Sequence, residues 1–154
     1  MRRSTGTCTV ARAAHVARMV FVDTSGWYAL VDRRDTGHGR VAELVEGLIR
    51  EGARLVTTDY VVDESCTLAK ARSGSVMALR LLDLLARTAA VDLEWIGAER
   101  FRMAEDQFRR YHDQAFSFTD CASFAVMRER RIAEAITTDD HFRIAGFRRL
   151  PEED

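Results

Sequence analysis

From Met19 onward, short wholly apolar runs alternate with longer stretches whose apolar residues recur every three or four positions. Val20-Phe21-Val22 runs directly into Asp23, the pattern of a strand buried on both faces. Thr24 is placed to cap a helix that passes through Trp27 and Leu30. Val41, Leu44, Val45, Leu48 and Ile49 fall at i, i+3, i+4, i+7 and i+8, a helical stripe that Gly52 ends. Leu55-Val56-Thr57 predicts a second buried strand, followed by a helix from about Asp59 to Arg72 that Ser73-Gly74-Ser75 breaks. The next helix, Val76 to about Arg87, carries Met77, Leu79, Leu81, Leu82, Leu84 and Leu85, more apolar surface than one core-facing stripe needs. That excess predicts either deep burial or a face that meets another chain.

Val91, Leu93 and Trp95 alternate with Asp92 and Glu94, which predicts a half-exposed strand. Phe101, Ala104, Phe108 and Tyr111 line a further helix, and Thr119 is placed to cap one running to about Arg130. Ala135-Ile136-Thr137 reads as a short strand and Phe147–Leu150 as a last edge strand before Pro151. Strands alternating with helices imply right-handed crossovers and a parallel sheet covered on both faces. The expectation is one α/β domain over residues 19–150, with a tail at 151–154 and an N-terminal extension at 1–18.

Composition narrows this further. A chain of 154 residues, 47% hydrophobic and 31% charged, buries a core without disulfides and is not a low-complexity sequence. No apolar stretch approaches the roughly 18 residues of a membrane span. Cys8, Cys66 and Cys121 form no paired motif, which argues against a disulfide framework or a zinc cluster and for a reducing cytoplasm. Residues 1–18 hold four arginines and no acid, and are expected to be a disordered tail. Without them 19 basic side chains face 24 acidic ones, a net charge of −5. Such a body does not attract nucleic acid by bulk charge, so action on nucleic acid needs local arginines and a metal ion. Arg109-Arg110, Arg128, Arg130, Arg131 and Arg148-Arg149 are candidate backbone contacts, although each also reads as ordinary solvated surface.

The acids carry the chemistry. In open α/β sheets ligands bind beyond the carboxyl ends of the strands, and Asp23 and Asp139 follow two predicted strands there. Asp120 stands at a helix start, where unpaired N–H groups and the helix dipole favour a carboxylate. On the helix after the second strand, Val61, Val62, Leu68 and Ala69 mark the buried face. Glu64 borders that stripe, whereas Asp63 points away from it. Clustered carboxylates repel one another unless a cation joins them. Oxygen donors without His or Cys at ligand spacing point to Mg²⁺, with Mn²⁺ as a substitute. His15, His38 and His112 lie apart from this group, and His141 reads as a turn or capping residue. Trp27 and Tyr28 are expected to pack in the core.

Four segments carry a resemblance: VFVDTSGWYAL (Val20–Leu30), TTDYVVDESCTL (Thr57–Leu68), FSFTDCASFAVM (Phe116–Met127) and AITTDDHFRIAGFRRL (Ala135–Leu150). In this order they resemble the PIN-domain nucleases, in particular the VapC toxins of prokaryotic toxin–antitoxin pairs. The resemblance implies a three-layer α/β/α sandwich around a parallel sheet of about four to five strands. It also implies a Mg²⁺-dependent endoribonuclease, a cognate VapB-like antitoxin and a homodimer. Carried over by position, the catalytic and metal-binding acids are Asp23, Glu64, Asp120 and Asp139, with Asp140 adjacent to the last and not separable from it by spacing. A haloacid-dehalogenase-like phosphatase needs an Asp two residues after the first, and Ser25 stands there. Two other readings stay open: a PIN-like RNA-processing nuclease without an antitoxin, and a module that binds RNA or a partner without cutting.

Overall fold

The computed structural model describes residues 16–153. Five strands form one sheet: β1 (Met19–Val22), β2 (Arg54–Thr58), β3 (Val91–Glu94), β4 (Glu134–Ile136) and β5 (Arg148–Leu150). Their order is β3-β2-β1-β4-β5, and every neighbouring pair is parallel. Seven helices connect them among the described residues: α1 (Thr24–Val31), α2 (His38–Arg50), α3 (Asp59–Ser73), α4 (Ser75–Arg87), α5 (Gly97–Arg110), α6 (Phe118–Glu129) and α7 (Asp140–Ile144). The result is the expected three-layer sandwich with its parallel sheet in the middle.

β1 lies at the centre, with Phe21 aligned to Val56 on one side and Ala135 on the other. Val20, Phe21 and Val22 are fully buried, which is why this strand is apolar at every position rather than at alternate ones. α1 packs on α2, α3 and α4, while α5 and α7 pack on α6. α1 sits so close to β4 that a Cβ on Gly26 would come within 2.6 Å of the Ile136 carbonyl oxygen. Gly74, at φ +87°, turns the chain sharply between α3 and α4.

At the sheet edge, β3 departs from a simple apolar-in pattern. Leu93 and Trp95 are exposed, whereas Asp92 pairs with Arg54, and Glu94 with Arg100 and Arg130. Ion pairs thus occupy one face of an edge strand whose Val91 still packs on the core while Leu93 is left to solvent. On α5 only Ala104 is buried, and Phe101 and Phe108 lean on the Phe118 ring, 5.1 and 5.6 Å between centroids. On α4, Met77 and Leu81 face the core, while Val76, Leu79 and Leu82 are exposed. Most of the predicted 1–18 extension lies outside the described residues. At its end, the Arg18 carbonyl accepts from the Arg54 N–H at 2.8 Å, and the guanidinium donates to Glu134 at 2.9 Å. Near the other terminus Arg40 donates to the Glu152 carbonyl at 2.7 Å.

Candidate active site

Parallel strands direct all their carboxyl ends to one edge of the sheet, and the acids gather there. Asp23 is the first residue after β1. It takes the N-cap position of α1 itself, so Thr24 is not the cap; the Asp23 side chain makes no capping bond. Thr24 instead donates its hydroxyl to Glu64 Oε1 at 2.8 Å, tying α1 to α3 across 40 residues of sequence. The Thr137 hydroxyl, just past β4, donates to Asp23 Oδ2 at 3.0 Å and accepts from the Asp139 N–H at 3.0 Å. Ser25 extends this link, its hydroxyl accepting from the Thr138 N–H at 2.9 Å.

Asp120 enters from α6. The helix is capped by Ser117, not Thr119: the Asp120 N–H donates to Ser117 Oγ at 2.9 Å, and the Ser117 N–H donates back to Asp120 Oδ2 at 3.0 Å. A hydroxyl residue three positions before an acid is the capping-box signature, and it was readable at Ser117-Phe118-Thr119-Asp120. Asp139 caps α7, its Oδ1 accepting from the His141 N–H at 2.9 Å. Asp140 turns outward to ion pairs with Arg143 and Arg149, so the structure separates the adjacent pair.

His141 does more than turn the chain. Its Nδ1 lies 2.9 Å from Asp120 Oδ2 and 3.3 Å from Asp139 Oδ2. One potential ligand atom from each of Asp120, Asp139 and His141 falls within a 4.8 Å span. The imidazole therefore joins the acidic group that spacing alone assigned only to carboxylates. Its position two residues after Asp139, at a helix start, was the available signal.

Asp23 and Asp120 are buried, and Glu64 is exposed at the mouth. Burial pushes the Asp23 carboxyl up to about 7; the Thr24 N–H and the Thr137 hydroxyl oppose that rise, while Asp120 and Glu64 add to it by charge. Asp23 thus senses acids from two other helices. A cleft of about 400 Å³ exposes Asp23, Glu64 and Asp139 together with Thr24, Ser25 and Arg72. A larger hollow of about 900 Å³, between α1, α2 and α4, contains none of the four acids.

This donor set fits a hard divalent cation. It consists of carboxylate oxygens with one imidazole beside them, and a buried acid that is costly to ionise without positive charge nearby. Thr24, Thr137, Ser117 and the α7 backbone each hold one oxygen of an acid and fix its direction. The arginines outside the cleft are mostly engaged elsewhere. Arg109 pairs with Glu105, Arg130 with Glu94, Arg148 with Glu134 and Arg149 with Glu153, and Arg128 donates to Gln107. Trp27 is buried, as expected of a core residue, and donates its indole N–H to Thr57 at 3.0 Å.

Comparison with known proteins places the chain among relatives. The PIN domain family model matches residues 20–148. The chain is 33% identical over 129 residues to the 23S rRNA-specific endonuclease VapC20 of Mycobacterium tuberculosis, covering 84% of this chain and 95% of the relative. It is 26% identical over 123 residues to a VapC ribonuclease of Archaeoglobus fulgidus, covering 79% and 77%. The crystal structure of M. tuberculosis VapC20, described as a sarcin–ricin-loop-cleaving toxin, superposes with a TM-score of 0.75 at 31% identity over 83% of this chain and 95% of that one. The Rickettsia felis VapBC2 complex with promoter DNA shares the fold, with a TM-score of 0.63 at 10% identity over 85% and 96%.

Proposed function

From the premise that this chain belongs to the PIN-domain family, we propose that it is a Mg²⁺-dependent endoribonuclease, the toxin of a type II toxin–antitoxin pair. The observation that carries the reading is the convergence of Asp23, Glu64, Asp120 and Asp139 on one edge of a parallel sheet. Asp23 and Asp120, the buried pair, would hold Mg²⁺ directly. Glu64 and Asp139 complete its surroundings or hold its waters. When bound, Mg²⁺ would supply positive charge to the phosphoryl oxygens and lower the pKa of a water able to attack the phosphodiester.

The remaining groups orient the acids. Thr137 fixes Asp23, Thr24 fixes Glu64, and Ser117 with His141 fixes Asp120, so each carboxylate meets the cation and the substrate without reorganising. Because the whole domain is net acidic, RNA binding depends on the cation and on arginines inside the cleft. A VapB-like antitoxin is the inhibitor. A homodimer forms through α4, where Val76 and Leu79 are 64% and 61% exposed. Residues 19–150 are the nuclease unit.

The test is cleavage of RNA by purified protein, beginning with ribosomal RNA because the mycobacterial relative is named for that target. Defined cuts that require Mg²⁺, stop with a chelator and disappear in Asp120→Asn support the reading. RNA left whole by protein with a demonstrated bound cation overturns it.

A further inference from the structure

Arg72 is the cation of the cleft that the acidic site does not account for. It lies in the last turn of α3 and lines the same cleft as Asp23, Glu64 and Asp139. Its side chain makes no hydrogen bond or ion pair to any described residue. Its guanidinium instead lies over the Tyr28 ring, 5.4 Å from the centroid. An arginine needing only charge balance had carboxylates within the same cleft to pair with. Stacking on an aromatic face leaves all five N–H donors free in one plane.

The platform beneath it is built with care for position. Tyr28 donates its hydroxyl to Asp32 Oδ2 at 3.1 Å and meets Ser73 Oγ at 2.9 Å. Asp32 is buried, and Arg34 grips it through both carboxylate oxygens at 3.0 Å each. The Arg34 guanidinium holds the Asp32 carboxyl well below the usual carboxylate range, so this anchor stays ionised. Ser73 adjoins Arg72 in sequence and closes the loop by donating to Asp32 Oδ2 at 3.0 Å. The network thus fixes both the ring and the backbone that carries the guanidinium.

We propose that Arg72, stacked on Tyr28, binds a phosphate of the RNA strand flanking the one that is cut. Eight residues of helix separate Glu64 from Arg72, about 12 Å along the axis. That backbone separation leaves room for a neighbouring phosphate beside the reacting one. A planar fork matches phosphate oxygens in pairs, which an ammonium cannot reproduce. Arg72 gives a net acidic domain a local positive contact beside its carboxylates, and it sets how the strand enters the cleft. The inference rests on the ribonuclease reading.

The test compares Arg72→Ala and Arg72→Lys with the unchanged protein, on an RNA fragment containing the cut site mapped for the unchanged protein. Arg72→Ala is expected to raise KM by about tenfold, as loss of a charged hydrogen bond does, with kcat little changed. In the cleavage-disabled Asp120→Asn background, the same change is expected to lower the salt slope of RNA binding by about 0.7, one phosphate's share. Arg72→Lys keeps the salt slope but raises KM. Mg²⁺ affinity and thermal midpoint stay as in the unchanged protein, which separates contact with RNA from a structural role. Unaltered KM and salt slope in Arg72→Ala overturn the assignment, as does a loss confined to kcat. An unchanged protein that binds Mg²⁺ but cuts no RNA overturns the ribonuclease reading itself, a result visible before any Arg72 variant is compared.

Discussion

Replacing Asp23 by Asn is expected to change stability in opposite senses with and without metal. Burial raises the Asp23 carboxyl from an ordinary 3.8 to about 7. A carboxyl whose folded pKa is raised contributes stability fully present below the unfolded value and lost as pH rises through the folded value. Metal-free protein is therefore expected to weaken between pH 4 and pH 8 by on the order of 4 kcal/mol from this group alone. Asn has nearly the same shape, carries no charge and still accepts from the Thr137 hydroxyl. If half of the penalty is recovered, about 2 kcal/mol, the midpoint rises by roughly 4–8 °C for a domain of this size. The assay is thermal unfolding of both proteins in chelator at pH 5 and pH 8, repeated with Mg²⁺. Asp23→Asn should gain over the unchanged protein at pH 8, gain less than half as much at pH 5, and lose the midpoint shift that Mg²⁺ gives the unchanged protein. A variant less stable than the unchanged protein at pH 8 without metal, or one still stabilised by Mg²⁺ to the same degree, rules out Asp23 as a buried acid that the cation neutralises.

Other changes test other parts of the same structure. His141→Ala removes the imidazole from Asp120 and Asp139, and Mg²⁺ affinity measured by calorimetry is expected to fall by roughly 10- to 100-fold, with cleavage falling alongside it. Gly26→Ala drives a methyl group into the Ile136 carbonyl at 2.6 Å and should cost about 1–3 kcal/mol in chemical denaturation. Leu79→Asp places a charge on the exposed face of α4 and is expected to convert a dimer to monomer in sedimentation at micromolar concentration, with the monomer's helix content unchanged.

The fold was legible because its main signals are local. Three apolar residues leading into Asp23 mark a central buried strand, and the 3.6-residue stripe of Val41–Ile49 marks α2. Asp23, Asp120 and Asp139 follow from their places at strand and helix ends, and Glu64 from its angle on α3. What stayed hidden depends on contacts distant in sequence. The Thr24 hydroxyl could serve as a cap or reach Glu64, and only the packing of α1 against α3 decides between them. Thr137 bridges Asp23 and Asp139 across 114 residues in one direction and two in the other. Thr119 reads as the cap from sequence, whereas the reciprocal bond between Ser117 and Asp120 puts it two residues earlier. Trp95 continues the alternation of β3 one residue past its end yet is 68% exposed, at the open edge of the sheet. Arg72 and Tyr28 carried no periodic signal for their stacking, since the pairing arises only where α1 crosses the end of α3.

These remote carboxylates are expected to share one divalent cation. The most direct measurement is the anomalous scattering of Mn²⁺ in crystals of this protein soaked with the ion. A shared site gives a peak between Asp23 and Asp120, with Glu64 and Asp139 around it. Clear density for all four side chains with no anomalous peak among them, at a concentration that saturates binding in solution, contradicts it.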